Sequence, residues 1–512
     1  MSQLLEAPAA ALEGAPADPS AARIPALAIA PAPAAVPAHA PAARVPALAI
    51  APAPAAAPAP RTGPYKTADL ERVWHAWVQM SAFLKNRPTV IVEGEGAYVT
   101  DDRGNRYIDA ISAIWNVNVG HRHPRVVARI TEQLGRLEHF SLMGFSNGPS
   151  LDLAAKLEEV TDGRYPHVFY TNSGSEANDT AIKIARQYHR NRGDTGRYKV
   201  ISLETSYHGC TFGALSATGI EEDKAAFGPM LPGFSHIIKP DCFRCPLGLK
   251  KESCGMACAG ALERRILEEG PESVAAFIYE PVMGSMGALV PPKDYFPRIR
   301  EICDRYGVLM IADEVATGFG RTGTWFAMEH WGVWPDLMSV AKGLTGGYVP
   351  MGAVLVTDEI YQAFLGTAES GKHLAHGFST SGHPLACSAA LAVIEVLQDE
   401  GLVERSRVLG DYLLGRLHEL EAFPFIGNVQ GLGLFCGFEL LADRETGAPM
   451  EPKRAGATAA ELFCWMTARK GVITFPASEH SVVVLPPFIF TEELVDRTVQ
   501  VLTETAAWFA KL

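Results

Sequence analysis

The chain has 512 residues, a formal net charge of −12 and 48% hydrophobic content, enough for two packed domains beside a tail. The acidic balance, without a basic stripe, argues against a nucleic-acid surface, and no apolar run approaches the ~20 residues needed to span a bilayer. Nine scattered cysteines do not resemble a secreted disulfide framework, and the start, MSQLLEAPAA, lacks a basic region followed by an apolar one; the expectation is a cytoplasmic protein.

Residues 1–62 are mostly alanine and proline, and the run from Arg23 to Ala35 recurs almost unchanged from Arg44 to Ala56. Few large side chains can offset the ordering entropy there, so this stretch is expected to be a disordered, linker-like arm. From Leu70 the composition changes, and Trp74, Trp77 and Phe83 predict a packed helix. Val90 to Val99 and Arg106 to Ile111 read as short strands around a turn at Asp101 to Asn105. Strands then alternate with helices: His167 to Thr171, a helix to Arg192, Lys199 to Glu204, Ala275 to Glu280, a helix from Tyr295 to Tyr306, and a strand from Val308. This β-α-β rhythm predicts an α/β fold with a largely parallel sheet covered on both faces. After Pro384 a helix, short strands near Gly433 to Glu439 and Ser481 to Leu485, and a last helix predict a smaller α+β domain. The expected division is an arm at 1–62, a large domain at 118–384, and a small domain built from 63–117 and 385–512.

Chemistry concentrates where strands end. Val308 to Ala312 is an apolar run that reads as a strand buried on both faces, and Asp313 and Glu314 close it. Lys342 follows a second apolar-to-small transition, Ser339 to Gly343. An acid at a strand end and a lysine on a small-residue loop suit pyridoxal phosphate (PLP): the lysine forms a Schiff base and the acid keeps the pyridine nitrogen protonated. Alone, each feature is also compatible with ordinary structure. Thr171 to Asn178 leaves a strand and opens a helix, and Ser173 and Glu176 have capping-box spacing. Beside a lysine and an acid, that helix start, with Ser173, Gly174 and Ser175, reads as a phosphate cup rather than only a capped helix. Tyr207, followed by His208, ends the next strand, where an aromatic ring can stack on a flat cofactor. Glu280 ends another strand in the same crevice.

With these residues in place the chain, from about Leu70 onward, resembles the class III PLP-dependent aminotransferases of fold type I. The ordered blocks are WNVNVGHRHP at Trp115, TNSGSEANDTAIKIARQYH at Thr171, YHG at Tyr207, EPVMG at Glu280, DEVATGFGRTG at Asp313, AKG at Lys342 and STSGHP at Ser379. The resemblance implies that Lys342 is the Schiff-base lysine and proton shuttle, and that Asp313 pairs with the pyridine nitrogen. It further implies that Val315 packs behind the ring, that Gly174 and Ser175 bind the phosphate, and that Tyr207 stacks, with His208 and Glu280 nearby. Ser379, where relatives carry threonine, would reach the phosphate of a partner subunit, which makes the active unit a homodimer or a tetramer of such dimers. Within the family the chain is most similar to ω-transaminases acting with pyruvate. Trp115 matches their pocket tryptophan, and Phe140, in Glu138 to Ser141, matches a pocket edge lent by the other subunit. Phe475 stands where several relatives carry a carboxylate-binding arginine, a role phenylalanine cannot fill; apolar or non-carboxylate amines, or another carboxylate partner, are expected instead. The alternative reaction is a class III lyase, either a phospho-lyase or a decarboxylase, which shares the lysine, the acid and the phosphate residues.

Cys242, Cys245, Cys254 and Cys258 have respectable spacing for a structural zinc or a disulfide. Unpaired thiols on a surface insertion are the preferred reading, and no metal is expected. His121 and His123 read as loop histidines before Pro124.

Overall fold

The computed structural model describes residues 65–85, 88–451 and 457–512; the Ala/Pro-rich arm expected over 1–62 lies outside the described residues. Seven strands form the main sheet, in the order His167–Thr171, Gly352–Val356, Leu337–Val340, Leu309–Asp313, Val274–Tyr279, Lys199–Leu203 and Phe234–Ile237. Gly352–Val356 runs antiparallel to both neighbours, and the other pairings are parallel. The three strands Val274–Tyr279, Leu309–Asp313 and Leu337–Val340 are buried along their whole length. Burial on both faces is why they read as continuous apolar runs rather than alternating ones. Helix Gly174–Asn191 covers one face with Ala177, Ala181, Ile184, Ala185 and Tyr188, and helix Tyr295–Tyr306 packs into the cluster on the other with Phe296, Ile299 and Ile302. Tyr295–Tyr306 has the bounds expected from the sequence, closed by Gly307 in the left-handed region that stops a helix cleanly.

Two further sheets stand apart from the main one. Ile91–Glu95, Tyr98–Asp101 and Arg106–Asp109 form an antiparallel meander that Val472–Ile473 joins in parallel. Ile426–Leu432, Phe435–Asp443, Ser481–Val484 and Phe475–Pro476 form the other, beside helices Leu402–His418 and Ala459–Arg469.

Two local expectations fail for identifiable reasons. The single strand expected from Val90 to Val99 is a hairpin broken at Gly96, whose φ of +57° makes the turn. The packed helix expected around Trp74, Trp77 and Phe83 is not continuous: helices Thr67–Leu70 and Met80–Lys85 flank an irregular stretch, with Trp74 and Trp77 90% and 68% exposed. Trp74 and Phe83 would face opposite sides of one ideal helix, so the three aromatics never make a single apolar stripe.

Candidate active site

Six of the seven strands point the same way, and five of their ends, Thr171, Leu203, Tyr279, Asp313 and Val340, line one edge of the sheet. In such a sheet that edge is where ligands bind, because the chain leaves it in loops and helix starts. The cup, Tyr207, Glu280, Asp313 and Lys342 each lie at or just beyond one of these ends.

Lys342 has φ +42°, a region that L side chains rarely adopt and one that stores local strain. Its Nζ lies 4.6 Å from the centroid of the Trp115 ring, and among the described residues it makes no hydrogen bond. Burial holds the amine below its ordinary pKa; the carboxylates of Asp313 and Glu280 oppose that shift and the Arg321 cation reinforces it. Asp313 is buried and well supplied with donors. Asn178 Nδ2 and His208 Nδ1 each approach Oδ2, at 2.7 and 2.8 Å, and the Val315 N–H donates to Oδ1 at 3.1 Å. His208 thus sits beside the carboxylate, and its own backbone carbonyl accepts from Asn178 at 2.7 Å.

Glu280 accepts from the backbone N–H groups of Tyr207 at 2.9 Å and Gly284 at 3.0 Å, so it ties two strand-end loops together. Burial pushes its carboxyl up to about 7, against the pull of His208. Glu314, next to Asp313, is not turned to the crevice; it accepts from Thr317 and from the Met328 N–H, and burial raises it to about 7 as well.

At the cup, Ser173 caps helix Gly174–Asn191 by accepting from the Glu176 N–H. Glu176 does not return the bond to Ser173: its Oε2 accepts from the backbone and side chain of Asn172, so half of the expected reciprocal box forms. A Cβ on Gly174 would lie 2.8 Å from Val315 Cγ1, which places Val315 directly against the cup. Ser175 Oγ accepts from the Cys210 N–H at 3.1 Å, docking the Tyr207 loop on the same helix start. Ser379 is exposed, beside Thr380, whose hydroxyl donates to Asn172 Oδ1 at 2.7 Å.

Trp115 and Phe475 meet edge to face with centroids 6.0 Å apart, and Phe435 packs on Trp115 at 5.6 Å. Phe140 is 45% exposed and packs on Phe145. Sequence reasoning missed Asn178, Phe435, Gly284 and Arg321. Asn178 had a signal: it lies one helical turn beyond Gly174 and so shares its face. The others depend on contacts from remote segments.

Cys242, Cys245, Cys254 and Cys258 are free thiols that line one cavity of about 250 Å³. Among the described residues no three metal-ligating side chains are gathered to hold an ion. His121 lies 2.8 Å from Asp109 and His123 3.1 Å from Glu400.

Pyridoxal phosphate finds a fitting residue for each of its parts. Lys342 offers an amine whose charge burial disfavours, and Asp313 offers a carboxylate braced by three donors. The first turn of a capped helix offers unpaired N–H groups to a phosphate, with no side chain on Gly174 to block them.

Fold and site together define a PLP-dependent transferase of fold type I. The class III aminotransferase family model matches residues 81–506, and the chain belongs to that family of enzymes. It is 40% identical to the adenosylmethionine-8-amino-7-oxononanoate aminotransferase of Nitratidesulfovibrio vulgaris, over 85% of this chain and 80% of the relative. It is 37% identical to the putrescine–pyruvate aminotransferase of Pseudomonas aeruginosa, over 82% of this chain and 91% of the relative. Among solved structures, an (S)-enantioselective omega-transaminase from Thermomicrobium roseum superposes with a TM-score of 0.82 at 37% identity, covering 86% of this chain and 97% of that one. No helix among the described residues is long and apolar enough to cross a membrane.

Proposed function

We propose that the enzyme moves an amino group from a primary amine or ω-amino acid to a keto acid, pyruvate, in two half-reactions at one site. The observation that carries this reading is the buried Lys342 amine, 4.6 Å from the centroid of the Trp115 ring and within electrostatic reach of Asp313 and Glu280. When bound, PLP supplies an electron-poor ring that stabilises negative charge on the substrate carbon. The protein's residues do the rest. Lys342, biased toward its neutral form, takes the proton from that carbon and returns it one position away. Asp313, fixed by Asn178 and His208, holds a proton on the ring nitrogen. Ser173, Gly174 and Ser175 hold the phosphate and Tyr207 covers the ring face, with Val315 behind it. Trp115 and Phe475 give the amine an apolar wall with no cation at position 475, which favours donors without a carboxylate there. Phe140 and Ser379 would serve the site of a second copy, consistent with their exposure, so the working unit is a homodimer. The cytoplasm, and the division into a large domain at 118–384 and a small one from 63–117 and 385–512, complete the proposal.

The test is spectroscopic. Single amines (putrescine, β-alanine, taurine, a benzylic amine) are added to the purified holoenzyme without keto acid. Bleaching of the cofactor's visible band with carbonyl release, no free ammonia, and recovery on adding pyruvate is the expected result. Ammonia and phosphate released from a phosphorylated amine would replace transamination by elimination.

A further inference from the structure

Arg321 is one of the largest fully buried side chains, and among the described residues no carboxylate lies within ion-pair distance of it. Burial lowers its pKa to about 9, with distant Asp109 only partly offsetting this. A buried guanidinium without an anion is expensive, so its hydrogen bonds must be geometrically good. The two Nη atoms make two each, while Nε has no partner among the described residues. Nη1 donates to the carbonyls of Leu434 at 3.1 Å and Pro486 at 2.7 Å. Nη2 donates to Ser112 Oγ at 3.1 Å and Asn118 Oδ1 at 2.7 Å.

These acceptors are not a random set. Ser112 and Asn118 bracket the loop that carries Trp115. Within it, Ser112, Ala113 and Trp115 have φ of 51°, 60° and 68°, a cluster of conformations that L residues hold only when the surroundings impose them. Leu434 directly precedes Phe435, which packs on Trp115. Asn118 also reaches the lysine: a Cβ on Gly343 would lie 2.5 Å from Asn118 Nδ2, so that amide presses on the residue after Lys342.

We propose that Arg321 is a positioning residue that sets the substrate pocket, using one planar fork to fix Trp115 and Phe435 as a wall and Asn118 as a brace behind Lys342. Lysine cannot do this: it keeps the charge but not the two divergent pairs of donors. The inference rests on the reading that Trp115 and Lys342 face the substrate.

The test compares Arg321→Lys with Ser112→Ala, which leaves the cation and removes one acceptor together with that hydroxyl's bond to the Leu485 carbonyl. Hydrogen exchange of both holoenzymes is followed by mass spectrometry, and kcat and KM are measured for a small alkylamine and a bulky benzylic amine. Exchange across 112–118 should rise about tenfold or more in Arg321→Lys, the effect of a charge-assisted hydrogen bond on local opening, while helix Pro384–Asp399 stays as protected as in the wild type. KM for the bulky amine should shift about fivefold more than KM for the small one, a split that a general loss of stability would not produce. If Arg321→Lys does not fold, Ser112→Ala decides by the same two readouts. Unchanged exchange at 112–118, or a rise spread evenly over the chain, overturns the proposal. Should the wild type turn over no amine at all, the transaminase reading fails, while the exchange pattern still decides whether the clamp exists.

Discussion

Gly284 gives a direct way to ask whether the position of the Trp115 ring governs catalysis. It opens a short turn after Glu280, and its φ is not in the left-handed region, so alanine is allowed there by the backbone. The obstacle is steric: a Cβ would come 2.6 Å from Trp115 Cζ3, 2.8 Å from Cη2 and 3.3 Å from Phe435 Cζ. Ordinary carbon contact begins near 3.5 Å, so the ring must retreat by roughly 1 Å. Overpacking of this kind costs about 1–3 kcal/mol, and a shift of that size near a reacting centre costs up to about 100-fold in rate. Gly284→Ala should therefore lower kcat/KM for amines about 10- to 100-fold, with a melting midpoint only a few degrees lower. The decisive assay repeats the substitution in a Trp115→Ala background, where nothing remains to collide with most of the new methyl group, and the penalty should nearly vanish. An equal penalty in both backgrounds, or wild-type kinetics for Gly284→Ala, would refute the reasoning.

Other expectations are simpler. Lys342→Ala should bind PLP, seen by absorbance, yet lose at least about a hundredfold in turnover; near-normal activity would remove the lysine from its role. Asp313→Asn should keep the fold, at a somewhat lower melting midpoint because its NH2 must face one of the three donors, and lose most of its activity, since an amide cannot hold a proton on the ring nitrogen; a normal rate would exclude it. Glu314→Gln reads out a buried acid. The folded chain keeps the Glu314 proton between its ordinary 4.5 and about 7, where the unfolded chain has lost it. Its stabilising share is therefore complete below about 4.5 and disappears as pH rises to about 7. The variant cannot ionise, so from about pH 4.5 to about pH 8 it should gain about 3 kcal/mol on the wild type in urea unfolding. A difference independent of pH would show that the carboxyl titrates normally.

The place of the candidate site was legible in the sequence because each of its groups sits at or just beyond a strand end, and buried parallel strands announce themselves as apolar runs. Asp313, Lys342, Glu280 and Tyr207 share that signal, and the strands and helices around them have nearly the bounds that periodicity suggests. Arg321 carried no comparable signal. Its acceptors are mainly backbone carbonyls and small polar groups more than a hundred residues away in either direction, and a carbonyl looks the same in every residue. The exposed Trp74 and Trp77 misled for the opposite reason: aromatic composition implies burial, but burial needs a common face, which their spacing with Phe83 does not supply.

The reversed strand Gly352–Val356 makes the active site into a gauge. Val340, two residues before Lys342, pairs with Ala353 on one side, while Thr171, two residues before the cup, pairs with Gly352 on the other. A Cβ on Gly352 would meet the Ser173 carbonyl at 2.5 Å, so the cup rests directly on this strand. The span from Lys342 to the helix start at Ser173 is thus set by two interstrand steps of about 4.8 Å each, a spacing dictated by backbone hydrogen bonding and indifferent to side chains. Trp115 and Phe475 lie outside this strand ladder, so substitutions there leave that length unaltered. An insertion within 343–351 is a different matter, because it would loosen the ruler itself.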